Sequence, residues 1–201
     1  MKTKTIYLLR HGETDFNRNG MVQGRGINAS LNDSGQKQAV SVSRRLSGVS
    51  FDKFYASSLI RTHETLAPFG VDFDAMDGFD EISWGDQEGV KTSEAERAAY
   101  AKTLSKWRQG NLTLNIGGGE SPIQVMERQK FAMDRVLSQD HHSILICMHG
   151  RAMRILLCWM LNYPLNYMDG FPHRNCSFYS LKQTGNSFYL NEFNETGHLD
   201  G

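Results

Sequence analysis

Thr5-Ile6-Tyr7-Leu8-Leu9-Arg10-His11-Gly12-Glu13-Thr14 is the stretch from which the fold is read. Thr5 to Leu9 is a short apolar run that ends in a charge, the pattern of a first strand. A cation, an imidazole and a glycine follow directly. In an α/β sheet, ligands bind beyond the carboxyl ends of the strands, and a glycine there lets a substrate approach the backbone. The arrangement recurs at Ser143-Ile144-Leu145-Ile146-Cys147-Met148-His149-Gly150-Arg151, where a continuous apolar run, as expected of a strand buried on both faces, leads into histidine, glycine and a helix start. Neighbouring parallel strands place their carboxyl-end loops side by side, so His11 and His149 are expected to meet in a two-imidazole pocket.

Between these landmarks strands and helices alternate. A Gly- and Asn-rich loop from Gly12 to Asn32 precedes a helix expected from Asp33 to Leu46, with Asn32 as its cap. Phe51 to Ala56 reads as a second strand, and Ser57 or Ser58 is placed to cap the helix carrying Leu59, Arg61 and Thr65. Ser93 with Glu96 forms one capping-box signal, for a helix to about Arg108. Ser121-Pro122-Ile123-Gln124 forms another, with proline in the first turn. Arg151 to Leu161 reads as a helix before Pro164. Two alternating segments, Cys176 to Leu181 and Ser187 to Phe193, close the chain around a Thr184-Gly185-Asn186 turn. The expectation is a three-layer α/β/α sandwich with a mainly parallel central sheet, formed by residues 1–201 as one domain.

Composition narrows the function. Of 201 residues, 22 are Lys or Arg and 22 are Asp or Glu, so the formal charge is zero and there is no chain-wide electrostatic case for nucleic acid or a membrane surface. Any anion site must be local. The apolar start is too brief for a signal peptide or a membrane span. Cys147, Cys158 and Cys176 are odd in number and follow no CxxC spacing, which argues against a disulfide framework or a zinc site and for a cytoplasmic setting.

Phosphoryl transfer needs a nucleophile, cations on the equatorial oxygens and an acid for the leaving oxygen. His11 and His149 supply imidazoles. Arg61 sits in the first turns of a helix, where its fork and the helix's positive end face one anion. The acidic loop Asp80-Glu81-Ile82-Ser83-Trp84-Gly85-Asp86-Gln87-Glu88-Gly89 offers the acid, with apolar Ile82 and Trp84 beside it to raise a carboxyl pKa. Spacing alone does not choose among Asp80, Glu81, Asp86 and Glu88.

Arg10-His11-Gly12-Glu13-Thr14 resembles the RHG signature of the histidine phosphatase (phosphoglycerate mutase-like) superfamily, and the later landmarks follow in that family's order as far as about Leu181. Asn17 and Gln23-Gly24 resemble its phosphate loop, Ser58-Leu59-Ile60-Arg61-Thr62 the helix with the second arginine, and Glu81-Ile82-Ser83-Trp84-Gly85 with Glu88-Gly89 its acid loop. Gly119-Glu120-Ser121, His149-Gly150 with Arg154, and Asn175-Cys176-Ser177 also correspond. The resemblance implies His11 as the nucleophile that becomes phosphohistidine and Glu81 as proton donor. It implies Arg10, Asn17, Gln23, Gly24, Arg61, His149 and Gly150 as the phosphate-binding set, with no metal and no cofactor. His11 must then have one nitrogen unprotonated, its tautomer set by a fixed acceptor at the other. His149 should be cationic, or at least a donor, once phosphate is bound.

Gln87 stands where many members carry tryptophan. Asn28 and Ser30 occupy a stretch that is often Asp and Pro, in a loop that looks one residue longer. The segment from Glu81 to His149 is compact beside that of cofactor-dependent mutases, and the tail from Asn194 is short and acidic. These features favour water over a second acceptor, hence phosphatase over mutase. Arg25, Asn28, Lys91, Tyr100, Arg151, His173 and Arg174 are candidates for recognising the leaving group, although His63, His141, His142, His173 and His198 read otherwise as surface or loop histidines. The expected partner is a small phosphorylated metabolite, with a homodimer as the one possible protein assembly. A non-catalytic phosphate-binding protein is the alternative from another class.

Overall fold

The computed structural model describes residues 3–90 and 94–199. Its centre is strand β1 (Lys4–Arg10). With β2 (Lys53–Ala56), β3 (Asp74–Ala75), β4 (Ser143–Met148), β5 (Phe178–Thr184) and β6 (Ser187–Glu195) it forms one sheet in the order β3-β2-β4-β1-β5-β6. The first four in that order run parallel, and β5 and β6 form an antiparallel edge. The mainly parallel sheet expected from the sequence is therefore present. Thr184 pairs with Ser187, and Gly185 makes the turn between them at φ 62°, a left-handed conformation that glycine adopts without a Cβ penalty.

Alternation along β1 builds two cores. Ile6 and Leu8 face one side, packing with Ile144, Ile146 and Met148 against helices α5 (Pro122–Ser138) and α6 (Gly150–Met160). Tyr7 and Leu9 face the other, with Leu145 and Cys147, and meet Val42 and Leu46 at helix α2 (Asp33–Arg45) and Leu66 of α3 (Ile60–Leu66). A sheet covered on both faces is the reason β4 reads as an unbroken apolar run. A one-turn helix, α1 (Asp15–Arg18), follows the first strand, and α4 (Glu94–Arg108) lies over Trp84 through Tyr100 and Trp107.

Local signals place most helix ends. Asn32 caps α2, its side chain accepting from Gly35 N–H, and Ser121 closes a capping box with Gln124 before α5. The Ser93–Glu96 box lies outside the described residues. At α3 the expected serine cap is absent: Leu59 is the N-cap residue, with no cap bond from its own side chain. Asn28 instead supplies an Oδ1 acceptor to Ile60 N–H at 2.7 Å from the preceding long loop. Ser57 Oγ accepts from the N–H of Leu59 itself at 3.1 Å and meets His149, and Ser58 serves Asp80. No helix among the described residues is long and apolar enough to cross a membrane, and all three cysteines are buried and free.

Candidate active site

Parallel register brings the distant histidines together. Arg10 is opposite Met148 across β1 and β4, and His11 N–H donates to Met148 carbonyl at 3.0 Å. His11 and His149 are the next residues on each strand, so their rings lie 5.1 Å apart between centroids. Ala56 is opposite Cys147, and Ser57 N–H donates to Cys147 carbonyl at 3.1 Å, so a third strand delivers Ser57 to the same level.

His11 is 3% exposed and its Nδ1 lies 2.7 Å from Gly12 carbonyl. A carbonyl only accepts, so Nδ1 carries the proton and the lone pair sits on Nε2. Burial, then Arg61 and Arg10, hold the His11 pKa well below its ordinary value. The ring is therefore a neutral imidazole with a defined tautomer, the state that the sequence reading required of a nucleophile.

Arg61 is fully buried and turned inward. Its Nε donates to His149 Nδ1 at 3.1 Å, Nη1 to Ile27 carbonyl at 2.6 Å and Nη2 to Gly24 carbonyl at 3.2 Å. A guanidinium has five N–H groups, so one on each terminal nitrogen remains for a ligand. Because Arg61 only donates, neutral His149 bears its proton on Nε2, 2.7 Å from Ser57 Oγ. Burial first, and Arg61 next, push His149 far down its titration range, so the structure holds it neutral rather than cationic. Its one ring proton faces Ser57.

Arg10 remains a cation although burial lowers its pKa to about 10; Nη1 donates to His173 Nδ1 at 3.1 Å, while Nε is buried without a partner among the described residues. Gln23 is similar: Oε1 accepts from Thr14 Oγ at 2.9 Å and the buried Nε2 has no partner among the described residues. Buried donors of this kind call for a ligand or water. Asn17 caps back onto Thr14 N–H and accepts from Asn175 Nδ2 at 3.1 Å, which leaves its own Nδ2 hydrogens without an acceptor among the described residues. Asn175 also donates to His11 carbonyl at 3.1 Å, so the Asn175-Cys176-Ser177 motif staples the loop that carries His11.

Glu81 sits differently from the sequence picture. Backbone N–H groups, not apolar side chains, meet its oxygens: Oε1 accepts from Ile82 at 2.9 Å and Ala152 at 2.8 Å, and Oε2 from Arg151 at 3.0 Å. It thereby caps α6, which has no side-chain cap from His149. A carboxylate offers about four lone-pair positions, so one, on Oε2, stays available for a proton. The other acids are committed elsewhere. Asp80 accepts from Ser58 and Arg25, and Glu88 from Trp84 and Gly26 N–H groups. Asp86 is exposed. Arg128 pins this loop by donating to the carbonyls of Gly78, Asp80 and Glu81 and to Glu120.

Of the leaving-group candidates, Arg25 pairs with Asp80 and Asn28 is spent as a cap. Arg151 pairs with Asp169 at 2.5 Å under the Trp84 and Trp107 rings, and Lys91 lies outside the described residues. His173, expected more readily as a surface or loop histidine, joins the site through Arg10. Ser57 and Thr65, whose Oγ accepts Gly12 N–H at 2.9 Å, are parts the sequence reading missed. The only signal for Ser57 was its place after a strand.

Known proteins agree with this architecture. Residues 6–196 match the model of the histidine phosphatase superfamily, branch 1. A probable phosphoglycerate mutase GpmB of Erwinia tasmaniensis is 31% identical over 86% of this chain and 81% of its own. The 2-carboxy-D-arabinitol-1-phosphatase of Triticum aestivum is 24% identical over 97% of this chain and 41% of that protein. Among solved structures, mycobacterial glucosyl-3-phosphoglycerate phosphatase superposes with a TM-score of 0.84 at 23% identity, covering 96% of this chain and all of its own (100%). An imidazole pair set by strand register, inside a fold and sequence match that span nearly the whole chain, places this protein among the enzymes of the histidine phosphatase superfamily.

Proposed function

We propose that the protein is a metal-independent phosphomonoester hydrolase that acts on a small phosphorylated metabolite through a phosphohistidine at His11. The observation that carries this reading is the His11 tautomer. Gly12 carbonyl holds the Nδ1 proton, and burial with two arginines keeps the Nε2 lone pair free. Nε2 attacks phosphorus, and the bond from phosphorus to the ester oxygen breaks toward the leaving group. That oxygen takes a proton from Glu81 Oε2. Arg10, the spare N–H groups of Arg61, and the amides of Asn17 and Gln23 meet the phosphoryl oxygens, where donors already fixed in place cost little reorganisation. A dianion here offsets the two arginines that hold His149 neutral, so His149 gains proton affinity as phosphate arrives. Water then attacks phosphorus, giving its proton to Glu81 carboxylate, and the N–P bonding pair returns to Nε2.

The test is turnover of an aryl phosphate by the pure protein in EDTA, beside His11→Ala. Hydrolysis that survives chelator, vanishes in the variant and passes through an acid-labile, base-stable phosphoenzyme is the expected result. Loss of rate on chelation, or equal rates in the variant, refutes the mechanism; phosphate binding with no turnover of any monoester makes this a binding protein. A mutase reading draws on the GpmB-like relative, and rapid isomerisation of 3-phosphoglycerate with a bisphosphoglycerate primer would establish it.

A further inference from the structure

His173 takes no part in the mechanism above, yet it touches that mechanism from two sides. Its Nδ1 accepts from Arg10 Nη1 at 3.1 Å. Arginine only donates, so neutral His173 carries its proton on Nε2, and this N–H has no acceptor among the described residues. The ring rests on the first residue of α6: a Cβ built on Gly150 would fall 2.5 Å from His173 Cε1 and 2.8 Å from Nε2. The same helix end receives Glu81, whose carboxylate binds the Arg151 and Ala152 N–H groups. The proton donor must stand beside the departing oxygen, so the side of the pocket shared by Glu81 and His173 is the leaving-group side. Around the ring stand Arg10, Arg151 and Arg154, with Asp169 as the opposing charge; burial first and then these arginines lower its pKa to about 2.

We propose that His173 is the specificity-determining residue of this site: Nδ1 fixes the rotation of Arg10, and Nε2–H binds an acceptor oxygen carried by the leaving group close to the ester. The substrate class is thus an oxygen-bearing alkyl phosphate, such as a polyol or hydroxy-acid phosphate, in preference to a plain alkyl phosphate. This rests on the hydrolase reading. Asparagine places an acceptor where imidazole Nδ1 lies but has nothing at Nε2, and leucine has neither, so the two roles separate.

The experiment compares glycerol 3-phosphate with propyl phosphate, equal in chain length. Wild type is expected to favour the glycerol ester about tenfold in kcat/KM, the effect of one hydrogen bond. His173→Asn should lose the preference, its kcat/KM falling about tenfold further on the glycerol ester than on propyl phosphate, whereas His173→Leu should in addition turn over propyl phosphate about tenfold more slowly than His173→Asn does. In calorimetry, inorganic phosphate should bind His173→Leu about tenfold more weakly than wild type and His173→Asn nearly as well as wild type; this arm does not require turnover. An unchanged preference in His173→Asn overturns the leaving-group contact, and unaltered phosphate affinity in His173→Leu overturns the hold on Arg10. If wild type hydrolyses neither ester nor any aryl phosphate, the hydrolase reading falls and the preference falls with it, while the calorimetric arm still decides the Arg10 contact.

Discussion

Acidifying the protein from pH 7.5 to pH 5.5 should remove about 4 kcal/mol of folding stability, through three histidines that the native state keeps unprotonated. His11 and His149 are held well below their ordinary range by burial and then by Arg61, and His173 is pushed down to about 2. In the unfolded chain each returns to about 6.5. The sign follows from which state takes up protons: below about pH 6.5 the unfolded chain binds them and the native protein does not, so stability falls as pH falls. Each histidine contributes about 1.4 kcal/mol at pH 5.5 and almost nothing at pH 7.5, which gives roughly 4 kcal/mol for the three. Glu120 and Asp169, whose pKa values are lowered by Arg128 and Arg151 against the opposing effect of burial, also favour the native state less in acid, but only in the carboxylate range. Urea unfolding followed by tryptophan fluorescence at half-unit steps reads the slope. Phosphate buffer must be avoided, because a ligand of the native site masks the effect. His173→Asn should reduce the loss by about one third. A total loss below about 1.4 kcal/mol, one histidine's worth, would refute the claim that the three imidazoles are neutral together.

Gly35→Ala should destabilise the protein by about 3 kcal/mol, since a Cβ there would lie 2.1 Å from Glu13 carbonyl oxygen, a backbone atom with no room to yield; an unchanged Tm counts against that contact. Arg128→Met removes the donors that tie Gly78, Asp80 and Glu81 carbonyls together, and about 2–4 kcal/mol of stability should go with them in denaturant titration, together with activity. Glu81→Gln should slow phosphoenzyme formation from an alkyl phosphate at least about 100-fold but the first-turnover burst of nitrophenolate from p-nitrophenyl phosphate only a few-fold, because nitrophenolate departs without a proton, while hydrolysis of the phosphoenzyme, which also uses Glu81, slows equally after either ester. Equal losses in the formation step with both esters would rule out Glu81 as the acid.

What the amino-acid order made legible was whatever depends on near neighbours. Asn32 and Ser121 bond three residues ahead, and the unbroken run at Ile144–Met148 declares burial on both faces. The meeting of His11 and His149 was legible too, because two matching strand ends in a parallel sheet leave few other arrangements. Long-range partners were not. Asn28 caps a helix that begins at Ile60, and Glu81 caps one that begins at Gly150; neither pairing has a periodicity or spacing to announce it. β3 was missed because Asp74 and Ala75 are both exposed and carry no apolar pattern. His173 was discounted because its partner, Arg10, lies at the far end of the chain.

His11, Ser57 and His149 each stand one residue past paired strand positions, so their mutual spacing is inherited from the ladder of β1, β4 and β2. That makes the reacting centre stiff by construction. The groups around that centre have another origin: Tyr100 and Trp107 of α4 meet the Trp84 ring, Asp169 pairs with Arg151, and His173 reaches Arg10. Under the hydrolase reading, mutations on α4 or the turn carrying Asp169 retune which molecule fits without touching the ladder, whereas a change at His173 also reaches Arg10, so one scaffold can diversify its diet while keeping its reaction.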